Sequence, residues 1–484
     1  MRDTIEQLRK QLLPLELTVG QRAEWREKVI RHSEAFLERA PQLPVYRQAE
    51  DEGRGILASP ITENPVQIEE VLDLLQDHIE SSGVTLGVAG HMAFIPPSGL
   101  YTAALGDYLA AIINRYVGLF FTAPGAVRIE RLLLRWMADF VGYPATAAGD
   151  LTSGGSIANL IGVVTAREAH ELKSQDYSRA VVYLSDQTHH AVAKALRIAG
   201  LKECIQRHIA LDSYYRMSPD ALETAINQDK AAGLIPWLLV ASAGTIDTGA
   251  VDPLMSMAEI ARQHHLWFHV DGAYGANFAL CPTGKKILHG MELSDSLVLD
   301  PHKGLFMPCG SGAILVRNAQ SLLRAHYYNA DYLQDEDVLA SPDEISPAEL
   351  SPELTRPFRG LRLWLSLKLL GVAPFRAALE EKILLARHFY ERIRQVDGFE
   401  VGPFPDLSIV TFRYLPKHGD TNQFNQQLIS AVQHDGRIFL SSTKIDSKVT
   451  LRLAVMSLPT HLETIELAID ILRQKAKEIE DGQS

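Results

Sequence analysis

Lys303 stands near the middle of residues 294–318, SDSLVLDPHKGLFMPCGSGAILVRN, inside the run Asp300-Pro301-His302-Lys303-Gly304. Two short apolar stretches, 296–299 and 312–316, flank that run and read as buried strands. Taken singly, a loop lysine points to solvent more often than not. Between core strands, desolvation disfavours the ammonium, and the neutral amine that results is a nucleophile. Such an amine forms a Schiff base with an aldehyde, and the aldehyde most often held by proteins is pyridoxal phosphate.

Other stretches carry residues that suit the same chemistry. Residues 268–274, FHVDGAY, bring an apolar strand to an end at Asp271. A carboxylate there can keep a pyridine nitrogen protonated, which makes the ring an electron sink, although alone it would read as a cap on the next turn. Asp271 followed by Lys303 on successive strand ends is the order a pyridoxal site requires. Gly154-Gly155-Ser156 leads into a helix, where free N–H groups and the positive end of the helix dipole meet an anion; alone, the same run is an ordinary flexible lead to an N-cap. Residues 185–190, SDQTHH, follow another strand, so an imidazole there can stack on a ring and donate to a carboxylate. Thr245, in Ala243-Gly244-Thr245, ends a further strand and offers a hydroxyl.

The elements that must position these residues alternate. Strands are expected at 180–185, 237–242, 266–270, 296–299 and 313–316, and helices from 152–159 to 170, at 188–199 and at 253–264. That rhythm predicts an α/β fold with a mainly parallel sheet covered on both faces, whose ligand sits beyond the carboxyl ends of the strands. Residues 1–85 carry amphipathic helical patterns at 5–13, 22–37 and 66–79 without a core of their own, which predicts an N-terminal helical segment packed on another subunit or on the main body. Residues 86–370 form the expected large domain, opened by helices at 100–116 and 128–141. Within it, the acidic, proline-containing residues 329–355 predict a long mobile loop. Residues 371–484 form a smaller C-terminal α+β domain, reached through helices at 361–370 and 377–396, with strands at 408–414, 437–441 and 449–456 among helices at 422–434 and 462–479.

Composition narrows the function classes. Of 484 residues 46% are hydrophobic and 22% charged, as in an ordinary globular protein, and the net charge of −12 argues against nucleic acid or an anionic membrane as a general partner. Cys204, Cys281 and Cys309 are widely spaced, which suits a reducing compartment, gives no metal site and leads us to expect three core thiols. The charged N-terminus and the lack of any run of about 18 apolar residues predict a cytoplasmic protein.

Together GGSIAN, SDQTHH, SAGTIDTGAVDP, HVDGAYG and DPHKG, in this order, resemble the pyridoxal phosphate-dependent group II amino-acid decarboxylases, which include the aromatic-L-amino-acid, histidine and glutamate enzymes. The likeness extends from His91 and Phe94 through Ala123-Pro124 and Glu130 to Arg359. It implies an aspartate aminotransferase-like fold of type I with a seven-stranded type of sheet, a homodimer, and conversion of an L-amino acid to its amine and carbon dioxide. It further implies Lys303 as the Schiff-base lysine, Asp271 as partner of the pyridine nitrogen and His189 as the stacking imidazole. Gly155 and Ser156 would hold phosphate with His302 beside it, and Tyr332, in the mobile loop, would return a proton to the substrate; Thr245, by its own place at a strand end, is expected to contact the cofactor through its hydroxyl.

Several positions depart from the family's pattern. Ile246 replaces a second threonine, Asp300 stands where asparagine is common, Gly304 replaces a bulky residue, and no tyrosine occurs from 333 to 355. Residues 91–101, HMAFIPPSGLY, are mostly apolar and favour an aromatic or hydrophobic substrate over glutamate. The readings that compete are another pyridoxal reaction on the same fold (an aldehyde-forming oxidative deamination, an aldehyde lyase or a desulfurase) and a catalytically silent, cofactor-free scaffold dimer.

Overall fold

A computed structural model describes residues 1–48, 52–327 and 344–483. A short antiparallel ladder, β1 (Tyr46–Arg47) with β2 (Gly83–Val84), precedes the main body. The central sheet comprises β3 (Ala148–Thr152), β4 (Ala180–Leu184), β5 (Ile205–His208), β6 (Ile235–Ser242), β7 (Trp267–Asp271), β8 (Ser296–Leu299) and β9 (Gly312–Val316). Their spatial order is β3-β9-β8-β7-β6-β4-β5. Only β9 runs against the others, since both its neighbours pair with it antiparallel. The expected mainly parallel sheet is therefore present.

Strands β4, β7, β8 and β9 are buried along their whole length, so their sequences are continuous apolar runs rather than alternations. One face is covered by the helices Gly155–Ala169 and His190–Ile198, which pack Ile161, Val163 and Leu196 on Val182, Val240 and Ile314. The helices Pro124–Val141 and Leu254–His264 cover the other face through Leu133, Met137 and Met257 against Leu239, Phe268 and Leu297. The first of these begins on Pro124 at N1 and stops at Gly142, whose φ of 89° ends the helix cheaply.

The C-terminal part adds an antiparallel sheet of β10 (Phe399–Val401), β11 (Ile409–Tyr414), β12 (Ser441–Ile445) and β13 (Lys448–Ala454) in the order β10-β11-β13-β12. Helices Ala373–Ile393, Thr421–Asp435 and Leu462–Gln483 accompany it, with Phe389, Phe412, Leu428, Leu453 and Leu472 in a separate core. By contrast, the N-terminal helices Arg2–Leu12, Val19–Arg39 and Ile68–Leu75 bury no residue, and Ile5, Leu8, Val29 and Ile30 are exposed. Tyr101–Ile113 likewise turns Tyr108 and Ile112 outward.

Several expectations need correction. Strand β3, AGDLT, was not expected, because Gly149 and Asp150 are poor strand formers; Gly149 is required since a Cβ there would lie 2.2 Å from the carbonyl of Ile314, and Asp150 pairs with Arg356. Strand β5 escapes the pattern because it is a short edge whose burial alternates. The strand expected at 437–441 begins only at Ser441; before it, Phe439 makes an isolated bridge to His91. Cys204 and Cys281 are buried, but Cys309 is exposed. The expected loop divides: 329–343 lie outside the described residues, whereas 344–351 are packed and Pro352, Leu354 and Thr355 are exposed. Glu344 pairs with Arg128 at 2.6 Å and with Arg131, Ser346 is fully buried and accepts from Phe120 N–H at 3.0 Å, and Pro347–Leu350 forms a 3-10 turn. Among the described residues no helix is long and apolar enough to cross a membrane.

Candidate active site

The carboxyl ends of β4, β6, β7 and β8 open onto one cavity of about 330 Å³. Gly155, Ser156, His189, Thr245, Asp271, His302 and Lys303 all line it, so every site residue expected from sequence comes together here except Tyr332, which lies outside the described residues. Of the apolar stretch 91–101, Ile95 reaches the cavity, while Phe94 is 54% exposed on backbone of φ 55°.

Lys303 sits on a single helical turn, Pro301–Gly304, directly after β8. Its Nζ lies 3.4 Å from Asp300 Oδ2. Asp271 ends β7; its Oδ1 accepts from Ala273 N–H at 3.1 Å and its Oδ2 from Asn159 Nδ2 at 3.3 Å. These two donors fix the carboxylate. His189 caps the helix His190–Ile198, and its Nδ1 accepts from Ala191 N–H at 3.1 Å, which puts the ring proton on Nε2. Burial lowers the imidazole's pKa more than the Asp271 carboxylate restores it. A neutral ring with an N–H to offer is the result.

The phosphate-sized end of the cavity is a backbone cradle. Gly154 holds φ 152° and ψ 176°, a region open only to glycine, and turns the chain into the helix Gly155–Ala169. A Cβ on Gly155 would lie 3.0 Å from Asp300 Oδ2 and 3.2 Å from Ala273 Cβ; one on Gly312 would lie 2.6 Å from Gly154 Cα. Glycine at these positions lets β9, Asp300 and the helix N-terminus approach one another closely, and a helix N-terminus of this kind suits an anion. His302 stands beside the cradle, its Nδ1–H donating to Ser311 O at 2.6 Å. Asp300 Oδ1 and Gln187 Oε1 are buried without a hydrogen-bond partner among the described residues. The cradle, the amine of Lys303 and the fixed carboxylate of Asp271 fit pyridoxal phosphate.

The departures acquire physical reasons. Asp300 faces the cavity; burial raises its pKa, and Lys303 and His302 offset part of that rise. Gly304 is enforced by Asn277, whose Cβ would stand 2.4 Å from a Cβ at 304 and whose Nδ2 donates to Asp300 O at 3.1 Å. Beside Ile246, Thr248 takes the hydroxyl contact to Thr245, at 2.8 Å.

Sequence reasoning missed residues that act from behind. Arg452, on β13 and buried, donates to Asp247 O at 2.7 Å and to Ile246 O, pinning the turn that carries Thr245. Asp252 accepts from Met217 N–H and Ser242 N–H, both at 2.7 Å, and burial pushes it up to about 6. Arg356 is buried between Glu130, at 2.9 Å, and Asp150, and ties residues 351–360 to β3, the strand that feeds the cradle. Only Asn159 left a local signal, one turn after Gly155 on the helix that begins the cradle.

Comparison with known proteins agrees with this geometry. Residues 58–415 match the family model described as the pyridoxal-dependent decarboxylase conserved domain. An aromatic-L-amino-acid decarboxylase of Bacillus atrophaeus is 35% identical over 430 residues, covering 88% of this chain and 89% of that protein. A phenylacetaldehyde synthase of Arabidopsis thaliana is 29% identical, covering 87% and 88%. The crystal structure of Catharanthus roseus tryptophan decarboxylase in complex with L-tryptophan superposes with a TM-score of 0.87 at 26% identity, covering 96% of this chain and 99% of that one. The chain belongs to the pyridoxal-dependent decarboxylases, fold type I enzymes that use pyridoxal phosphate as carboxy-lyases.

Proposed function

We propose that the enzyme decarboxylates an aromatic L-amino acid to its amine, consuming one proton and releasing carbon dioxide, in the cavity at the carboxyl ends of β4, β6, β7 and β8. The observation that carries this reading is that Lys303 and Asp271 open onto one cavity with the Gly155–Ser156 helix start. Pyridoxal phosphate, when bound, supplies the electron sink that makes loss of the carboxylate feasible. The amine of Lys303 would hold its aldehyde, and the fixed carboxylate of Asp271 would retain the proton on its ring nitrogen. Gly155 and Ser156 would receive the phosphate, with His302 beside it, while Thr245 would contact the cofactor. His189 would lie against the ring and offer its Nε2–H to the substrate carboxylate. Tyr332 returns a proton to the α-carbon; this role rests on resemblance alone.

Ile95 in the cavity wall and the names of the Bacillus and Catharanthus relatives support an aromatic substrate. Similarity to a phenylacetaldehyde synthase favours one second reading, an aldehyde as product. The outward apolar faces of the helices Arg2–Leu12, Val19–Arg39 and Tyr101–Ile113 support a homodimer, since a second copy would cover them. Unpaired Cys204, Cys281 and Cys309 support a cytoplasmic location. Supplying L-amino acids singly to the reconstituted enzyme and measuring amine, aldehyde and carbon dioxide tests the reading. Equal amine and carbon dioxide from tryptophan, tyrosine or phenylalanine is expected; activity confined to glutamate, or aldehyde as the main product, would overturn it.

A further inference from the structure

Behind Asp271 runs a chain of buried polar groups that the reaction scheme does not use. Asn159 Nδ2 donates to Asp271 Oδ2 at 3.3 Å and to Gly155 O at 2.8 Å. Asn159 Oδ1 lies 2.9 Å from His269 Nε2, His269 Nδ1 lies 2.7 Å from Ser296 Oγ, and Trp267 Nε1 lies 2.8 Å from the same Oγ. Asn159, His269 and Ser296 are at most 1% exposed. Gly162 makes room for the imidazole, since a Cβ there would stand 2.7 Å from His269 Cε1.

Each group in this chain has one permitted role. A carboxylate and a carbonyl only accept, so the amide nitrogen of Asn159 must face Asp271 and Gly155, leaving its oxygen toward His269. His269 Nε2 must then be the N–H. Indole nitrogen only donates, so Ser296 Oγ accepts from Trp267, and with the imidazole neutral it turns its own proton to His269 Nδ1. The direction is therefore fixed from Trp267 to Asp271. Burial lowers His269 to about 4, which keeps the ring neutral, a dipole rather than a second charge beside Asp271.

We propose that Asn159, polarised by His269, is the positioning residue that keeps the carboxylate of Asp271 ionised and so leaves the shared proton on the ring nitrogen of the cofactor. This rests on the reading of Asp271 as the partner of that nitrogen. A hydrogen bond to the charged form lowers the basicity of a carboxylate, and a donor that itself accepts a bond donates more strongly. Without the relay, Asp271 becomes the better base and the proton moves from nitrogen to oxygen, which weakens the electron sink. The second bond of Asn159, to Gly155 O, joins this control to the cradle.

Reconstitution with pyridoxal phosphate labelled with ¹⁵N in the ring reads the proton directly by NMR. The wild-type signal should be that of a protonated nitrogen; in Asn159→Leu and His269→Leu it should move toward the unprotonated value, with kcat falling on the order of tenfold, one pH unit in the sharing equilibrium. His269→Gln, which keeps an N–H for Asn159, should restore the wild-type signal. Asp271→Asn separates the two claims. A protonated nitrogen in that variant overturns the reading of Asp271 itself, whereas loss of the proton there beside a wild-type signal in Asn159→Leu overturns the relay alone. Neutron diffraction from the wild-type holoenzyme decides the matter should the leucine variants not fold: deuterium on His269 Nε2 and none on Nδ1 is expected, and deuterium on Nδ1 would overturn the proposal.

Discussion

Replacing Arg356 by methionine should unfold more than a surface ion pair would suggest. The guanidinium is 1% exposed, and its two carboxylate partners, Glu130 and Asp150, are 3% and 2% exposed. Burial raises the pKa of both acids, and Arg356 is the largest influence holding them down. Without it, Glu130 keeps Gly360 N–H at 3.0 Å and Asp150 keeps Ser351, neither of which carries charge, and Arg359, a weaker influence than Arg356, is left to favour their ionised forms. Breaking a buried pair of this kind costs about 3–5 kcal/mol at neutral pH. The pH dependence has a definite sign. In the variant both acids have folded-state pKa values above their unfolded values, so their contribution is intact below the unfolded value of about 4 and is lost as pH rises through the folded ones. The deficit against wild type should therefore be small near pH 5 and large near pH 8. Urea unfolding followed by tryptophan fluorescence, at matched protein concentration, measures it. The triple variant Glu130→Gln, Asp150→Asn, Arg356→Met removes the three buried charges together, leaves Arg359 paired with Glu353, and should return to within about 2 kcal/mol of wild type, because no uncompensated buried ion remains. A loss below about 1 kcal/mol for Arg356→Met at pH 7.5, or one equal at pH 5 and 8, would refute charge compensation as the role of Arg356.

Gly304→Ala should destabilise by about 1–3 kcal/mol, since its Cβ would stand 2.4 Å from Asn277 Cβ; thermal unfolding checks this. Gly155→Val should weaken cofactor binding by roughly tenfold or more in an absorbance titration, because the added side chain fills the cradle between Asp300 and Ala273. Tyr332→Phe should still release carbon dioxide but divert part of the product, with molecular oxygen as oxidant, to aldehyde and ammonia; a normal amine yield would assign the proton to another group.

What the sequence makes legible here is what repeats locally. Apolar runs such as 296–299 and 312–316 identify strands because a doubly covered sheet needs apolar residues on both faces, and DPHKG, HVDG and SDQTHH lie at strand ends because ligands bind there. What escapes is whatever depends on a distant partner. Strand β3 reads as a loop until Arg356, 206 residues away, neutralises Asp150. Residues 344–351 look unstructured because their anchors, Phe120, Arg128 and Arg131, belong to an earlier helix and the turn before it. The chain from Trp267 to Asn159 joins two strands and a helix, so no spacing announces it.

The account stands most directly on Lys303 as the residue that holds pyridoxal phosphate. Borohydride reduction of the reconstituted enzyme, followed by proteolysis and mass spectrometry, locates the lysine that carries the cofactor. One pyridoxyl group per chain on Lys303, absent from Lys303→Ala together with nearly all turnover, is the predicted result; modification of a different lysine, or sustained turnover by Lys303→Ala without added amine, would contradict it.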